Sequence, residues 1–199
     1  PLEVAQDHKC VFDGDKGPNT GGMGSYRPVK KITSEIIDEA MNEIMKPMAS
    51  AMVKEGVPFT GFLYGGLMLT EKGIKTIEFN ARFGDPEAEV ILPRLESDFI
   101  QAILDLMDNK PVELKWTDKV SHGVVLASTN YPASSTKGSL ITGVDDVDGL
   151  VFHMGTKMTD EWLVTDGGRV LMVVTLEDDL QTAFDHTYKE LEKIQCKDL

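Results

Sequence analysis

The sequence is poor in the residues that most often announce a function by themselves. Its two cysteines, Cys10 and Cys196, stand near opposite ends and match no metal or redox spacing, so they read as free thiols of a reducing cytoplasm. The four histidines, His8, His122, His153 and His186, are scattered with no partner close in sequence, which points to structural or surface roles. Basic residues are the minority: 20 Lys and Arg against 33 Asp and Glu leave a net charge of -13. That balance excludes a nucleic-acid backbone or an anionic membrane as the main partner, since either needs clustered cations. No apolar run approaches the roughly 18 residues of a membrane span. The opening Pro1-Leu2-Glu3-Val4 has neither an initiator Met nor a basic, apolar signal pattern, so the chain reads as a fragment or a processed chain with more sequence upstream. Internal repeats and low-complexity segments are absent too. What is present is a chain of 199 residues, 41% hydrophobic, enough for one large domain or two modest ones with packed cores.

The most informative stretch is Thr76-Ile77-Glu78-Phe79-Asn80-Ala81-Arg82-Phe83-Gly84-Asp85-Pro86-Glu87. Side chains alternate faces along a strand, so Glu78, Asn80 and Arg82 are expected on a polar face and Ile77, Phe79 and Phe83 on a core face. A carboxylate and an amide oxygen two residues apart are hard ligands suited to Mg²⁺, and a guanidinium beside them suits an anionic oxygen. Taken alone, the pattern also fits an edge strand whose polar face is simply solvated.

A second stretch, Asp13-Gly14-Asp15-Lys16-Gly17-Pro18-Asn19-Thr20-Gly21-Gly22-Met23-Gly24-Ser25, has Gly or Pro at six of thirteen positions and reads as a loop whose bare backbone can approach a ligand. Counted from Asp13, the sixth and twelfth positions are Pro18 and Gly24, where an EF-hand loop needs Gly and Glu. Gly22 is followed by Met23 and Gly24 rather than by Lys and Ser or Thr, so it is no Walker A loop. A third glycine and a βαβ context are missing for a dinucleotide fingerprint. A flexible surface loop remains the plain alternative.

In chain order, Glu3 to about Phe12 reads as a strand. From Thr33 a helix is expected with Ile36, Ile37, Ala40, Met41, Ile44, Met45, Met48 and Met52 on one face as core packing, kinked at Pro47 and stopped at Gly56. Phe59 to Leu69 reads as a strand that turns at Glu71-Lys72-Gly73 into the strand bearing Glu78. Glu87 to Leu92 and Asp98 to Met107 read as helices, separated by Pro93, with a cap at Ser97. A boundary is placed at Asn109-Lys110-Pro111, beyond which short strands are expected at Val120 to Ser128, Val151 to Met154, Trp162 to Thr165 and Val170 to Leu176. A last helix, Asp179 to Ile194, carries Leu180, Ala183, Phe184, Tyr188, Leu191 and Ile194 on one face. This second half shows no obvious chemistry.

The two long motifs, residues 13–24 and 77–87, together resemble the phosphoribosylamine-glycine ligase family of ATP-grasp enzymes. The likeness continues through Thr60-Gly61-Phe62-Leu63-Tyr64, His153-x-Gly155-Thr156-Lys157 and Gly167-Gly168-Arg169-Val170-Leu171. The resemblance implies an α+β fold: a large ATP-grasp subdomain, mainly antiparallel sheet with helices, over 1–109, and a small mixed sheet and helix domain over 110–199. It implies an enzyme of purine biosynthesis that joins glycine to 5-phosphoribosylamine with ATP through a glycyl phosphate, using Mg²⁺ or Mn²⁺. Glu78 and Asn80 would be the metal ligands and Arg82 the catalytic cation at the transferring phosphate. Asp13, Asp15, Asn19, Thr20, Gly21, Gly22, Met23, Asp85 and Glu87 would face glycine and phosphoribosylamine. Many ATP-grasp relatives carry a further metal carboxylate on the preceding strand, but Phe59 to Leu69 contains none, which leaves the number of metals open. The whole enzyme would also need an N-terminal domain and a lid that precede this stretch, so the chain alone is expected to be inactive. Another ATP-grasp carboxylate-amine ligase, or a non-catalytic nucleotide-binding module of the same fold, remains as an alternative.

Overall fold

The computed structural model describes residues 1–199. In chain order the elements are β1 (Gln6–Asp7), β2 (Cys10–Phe12), β3 (Lys16–Asn19), β4 (Gly24–Arg27), α1 (Ser34–Ala40), a π-helical stretch (Met41–Met45), α2 (Lys46–Lys54), β5 (Tyr64–Thr70), β6 (Gly73–Asn80), α3 (Glu87–Ile91), α4 (Phe99–Met107), β7 (Val120–Ala127), β8 (Leu150–His153), β9 (Thr156–Met158), β10 (Leu163–Thr165), β11 (Arg169–Glu177) and α5 (Leu180–Leu191). The content is α+β, with antiparallel strand pairing throughout. Packing gathers the chain into two units. The first comprises residues 1–28, 85–97 and 114–199, and the second residues 29–84 and 98–113.

The first unit is built on a five-stranded sheet in the order β1-β4-β7-β11-β8. Its longest strand, β11, lies between β7 and β8 and reads Arg-Val-Leu-Met-Val-Val-Thr-Leu-Glu, and period-two alternation sends its apolar side chains to both faces. Met172 and Val174 pack with Val125 and with Val90 and Ile91 of α3. Leu171 and Val173 pack on the opposite side with Ile141 and Ile194. A strand covered on both faces reads as a near-continuous hydrophobic run, and each such side chain contributes roughly 1.5–3 kcal/mol. On the α5 side, Thr175 Oγ1 donates to Ala183 O (2.9 Å) and lies 2.8 Å from Thr187 Oγ1. The N-terminal segment is fastened by Glu3, which accepts from Arg94 Nε (2.7 Å) and Arg27 Nη2 (3.0 Å). Burial pushes the Glu3 carboxyl up, but the bonds from Arg94 and Arg27 outweigh it and hold it below its ordinary range.

Three expectations change in this unit. The strand read over 3–12 is two short strands, β1 and β2. The loop read over 13–25 is mostly structured: β3 pairs with β2 and β4 joins the five-stranded sheet, leaving turns only at residues 13–15 and 20–23. On α5 the buried face is Ala183, Thr187 and Glu190, whereas Phe184 and Tyr188 are 43% and 47% exposed and flank the buried His122 ring.

The second unit holds the residue 34–54 helix and the β5/β6 hairpin. Residues 36, 37, 40, 41, 44, 45, 48 and 52 are all half-buried and their neighbours mostly exposed, so the expected stripe is the packed face. None of them is fully buried. Lys46 N–H bonds five residues back to Met41 O, a wide turn that ends directly before Pro47. Such a turn accommodates a ring that would otherwise meet the carbonyl four residues earlier. The hairpin turns at Glu71-Lys72 as expected, but β5 begins at Tyr64 rather than Phe59. The partners Gly66↔Glu78 and Leu67↔Thr76 leave Ile77 as an extra residue, a β-bulge. That bulge breaks the alternation, and Ile77, expected in the core, is 61% exposed. β6 ends at Asn80, so Arg82 lies beyond the strand that was to carry it. The cap of α4 is Asp98, whose carboxylate accepts from Gln101 N; Ser97 Oγ instead accepts from Lys115 N.

Candidate active site

In the first unit, the turn between β3 and β4 is held at nearly every polar atom. Thr20 Oγ1 donates to Lys9 O (2.8 Å) and accepts from Gly22 N (3.0 Å). Gly21 N donates to Tyr131 Oη (2.9 Å), and Gly21 O accepts from Arg169 Nη1 (3.2 Å) and Lys9 Nζ (3.4 Å). Met23 N donates to His8 O, and Met23 O accepts from Val125 N. Gly22 sits at φ +122°, and a Cβ there would run into Pro86 and come within 2.6 Å of Asp7 Oδ1. Only glycine meets both demands.

Asp85 lies against this turn. Arg169 Nη1 donates to Asp85 Oδ1 (2.8 Å) and Asp85 O (3.0 Å) as well as to the Gly21 carbonyl. α3 then starts at Glu87 and brings further acidic side chains to the same unit. Glu87 is buried. Glu89 Oε2 is buried without a hydrogen-bond partner, and burial, reinforced by the Asp85 and Glu87 charges against the pull of Arg169, raises its pKa to about 7. Burial also pushes the Asp7 carboxyl up, with Glu87 adding to the shift and the 2.5 Å contact to Lys9 Nζ opposing it.

In the second unit, Glu78 and Asn80 come from the end of β6. Glu78 is exposed, and its Cγ lies over Gly66, where a Cβ would approach to 3.2 Å; the cross-strand glycine keeps space beside the carboxylate. The Asn80 amide nitrogen is buried with no partner. No group of three or more His, Cys, Asp or Glu is gathered anywhere to hold a metal by itself. Two hard oxygen donors fit a Mg²⁺ that takes its remaining ligands from water and phosphate, the usual pattern for that ion. Arg82 is exposed and donates to Phe83 O (2.6 Å) beside the Phe62, Phe83 and Phe99 stack, in which Phe62 and Phe83 are 4.0 Å apart.

Thus Thr20, Gly21, Gly22 and Asp85 come together, with Met23 and Glu87 in adjoining segments. Asp13 and Asp15 stand apart at the exposed tip of the β2/β3 hairpin, and the Asn19 side chain meets Cys10 Sγ (3.6 Å) on an exposed edge. Residues that the spacing did not single out are Lys9, Asp7, Glu89, Tyr131 and Arg169. Two of these correct the expectation that the second half lacks chemistry: Tyr131 and Arg169 both reach the 20–23 turn. The run Gly167-Gly168-Arg169-Val170-Leu171, part of the resemblance, was the signal available for Arg169.

Comparison with known proteins identifies the family. Residues 1–88 match the sequence model of the phosphoribosylglycinamide synthetase ATP-grasp (A) domain, and residues 121–199 match that of the phosphoribosylglycinamide synthetase C domain. The chain is 50% identical to a phosphoribosylamine-glycine ligase of Halalkalibacterium halodurans, over 100% of this chain and 47% of the relative. It is 44% identical to the Lactococcus lactis protein of that name, over 98% of this chain and 48% of the relative. Among solved structures, the Thermotoga maritima phosphoribosylamine-glycine ligase superposes with a TM-score of 0.85 at 36% identity, covering 99% of this chain and 49% of that one. The chain spans about half the length of the curated relatives it matches. With the A-domain and C-domain models matched in order over residues 1–88 and 121–199, the chain belongs to the phosphoribosylglycinamide synthetase family of ATP-grasp proteins.

Proposed function

We propose that these residues form the metal and acceptor half of an ATP-dependent ligase that joins glycine to 5-phosphoribosylamine in purine biosynthesis. One observation carries the reading. Gly21 and Asp85, which belong to two motifs some sixty residues apart in sequence, share a single guanidinium, that of Arg169. The division into an ATP-grasp part over 1–109 and a C-terminal part over 110–199 follows the order of the two family models, whereas packing joins residues 1–28 and 85–97 to 114–199 in one unit. No helix is long and apolar enough to cross a membrane, and the cytoplasm is proposed as the site of work from the family alone.

In the proposed reaction, a glycine carboxylate oxygen takes the γ-phosphoryl group of ATP, ADP leaves, and the amine nitrogen of phosphoribosylamine then displaces phosphate from the acyl carbon. Glu78 and Asn80 would hold Mg²⁺ or Mn²⁺, which when bound screens the charge of the phosphates. Arg82, exposed beyond β6, would meet the transferring phosphoryl group. The Thr20–Met23 turn, with Asp85 and Glu87, would face glycine and the amine, and Asp13, Asp15 and Asn19 would border that side from the hairpin.

The test is ADP release that requires both glycine and phosphoribosylamine. The naturally expressed protein is expected to show it, and release that ignores either substrate overturns the reading. The 199 residues expressed by themselves are expected to fold but not to turn over. Holding all reactants in one water-poor site is worth roughly 7–11 kcal/mol, and half of a ligase forfeits much of that. Turnover by these residues alone at about 1 per second, a rate ordinary for enzymes, contradicts the assignment to one half.

A further inference from the structure

We propose that Arg169 and Tyr131, both in the C-terminal part, are positioning residues that set the acceptor side of the site by locking the Gly21 peptide and the Asp85 carboxylate together. The inference rests on the function proposed above and assigns the C-terminal part a role in it.

The Gly21 peptide is gripped from both sides. Its N–H donates to Tyr131 Oη at 2.9 Å, and its carbonyl accepts from Arg169 Nη1 at 3.2 Å. The same Nη1 donates to Asp85 Oδ1 at 2.8 Å and Asp85 O at 3.0 Å, with Gly22 O at 3.5 Å. Two hydrogens on one nitrogen are therefore shared among several acceptors, a planar, charge-assisted fan that an ammonium on a flexible stem does not reproduce. The contact surface is shaped for it. A Cβ on Gly21 would come within 2.9 Å of the guanidinium carbon, and one on Gly168 would strike the Tyr131 ring. The partners Arg169↔Ala127 and Leu171↔Leu126 leave Val170 as an extra residue, so a β-bulge directly follows Arg169 and turns the start of β11 out of the regular ladder. The Arg169 side chain is only 19% exposed, whereas that of Asp85 is 43% exposed. Asp85 thus has Oδ1 committed and Oδ2 open, a carboxylate fixed in direction and available to a ligand. A surface ion pair need not be built this way: here the guanidinium also ties down three backbone carbonyls, two of them in the 20–23 turn.

The experiment uses the naturally expressed, full-length protein. Arg169→Lys is expected to raise KM for glycine and phosphoribosylamine at least tenfold while KM for ATP stays within twofold. If Arg169 acts through Asp85, then Asp85→Asn and Arg169→Lys are strongly non-additive, the double variant being less than twofold worse than the poorer single one. Tyr131→Phe, which removes one hydroxyl and keeps the ring, is expected to shift the same two KM values in the same sense; it carries the test if Arg169→Lys does not fold. Hydrogen exchange at the Gly21 and Met23 amides, measured without substrates, should speed up in both variants. Equal changes in all three KM values, or effects of Arg169→Lys and Asp85→Asn that simply multiply, overturn the positioning role. A parent protein that needs neither glycine nor phosphoribosylamine for ADP release overturns the underlying function instead, and unchanged exchange at Gly21 overturns the clamp independently of any activity.

Discussion

Glu78 lies opposite Gly66 across the β5/β6 hairpin, with its Cγ over the bare glycine backbone and the bulged Ile77 immediately before it. A bulge re-aims the side chain beside it, and a cross-strand glycine leaves that side chain room. The carboxylate is therefore set by backbone geometry rather than by a salt bridge.

Replacing that carboxylate with an isosteric amide separates chemistry from folding. In the full-length protein, Glu78→Gln is expected to lower kcat by roughly 100-fold or more, the scale of losing one preorganised electrostatic contact. Stability should change by no more than about 0.5 kcal/mol because the residue is exposed. Steady-state kinetics and thermal melts on the same preparation decide it; a fully active variant removes Glu78 from the metal site.

Ligand protection should follow the donors. Millimolar Mg-ADP is expected to slow amide exchange over residues 76–87 more than over 120–127 or 169–177, read by mass spectrometry. Uniform or absent protection of 76–87 speaks against Glu78 and Asn80 as metal ligands.

Gly22→Ala joins two penalties, a backbone at φ +122° and a methyl group driven into Pro86 and Asp7. Strain of this kind costs on the order of 1–3 kcal/mol before the clash is added. Chemical denaturation should therefore show a loss of at least about 2 kcal/mol. A variant within about 0.5 kcal/mol of the parent means that the turn can relax at little cost.

Acid should weaken the first unit through His122. Burial, with a smaller contribution from His8, lowers its pKa to about 4, so the folded protein keeps the ring neutral where the unfolded chain, titrating near 6.5, is protonated. The unfolded state binds more protons between pH 6.5 and 4, and stability must fall as pH drops through that window. The gap corresponds to about 3 kcal/mol at most. The His122 ring signals should show no titration above pH 5 by NMR, and a midpoint near 6.5 would contradict the buried environment seen against Thr187.

Local patterns were legible where contacts are local or periodic. The half-buried stripe from Ile36 to Met52, the turn at Glu71-Lys72, the strands β7 and β11, and the last helix all follow from spacing alone, because period 3.6 and period 2 decide which side chains share a face. Expectations failed where strand pairing or a hydrogen-bond partner, rather than composition, decides. Lys16 to Asn19 looks like loop by its glycine and proline, yet it pairs with Cys10 to Phe12. Phe184 and Tyr188 look like core by hydrophobicity, yet Thr187 and Glu190 take the buried face of α5, where Thr187 Oγ1 meets His122 Nδ1 and Thr175 Oγ1 and Glu190 accepts from Asp148 N.

The sequence by itself determined the donor chemistry: a carboxylate and an amide oxygen two residues apart, and a glycine-rich turn able to expose its backbone. Those properties reside in residue identity and short spacing. Only the tertiary structure decided that Tyr131 and Arg169 close on Gly21 and Asp85. A peptide N–H, its carbonyl and a carboxylate must each find a partner once water is excluded, and the groups that satisfy them come from strands and loops more than a hundred residues away from Gly21.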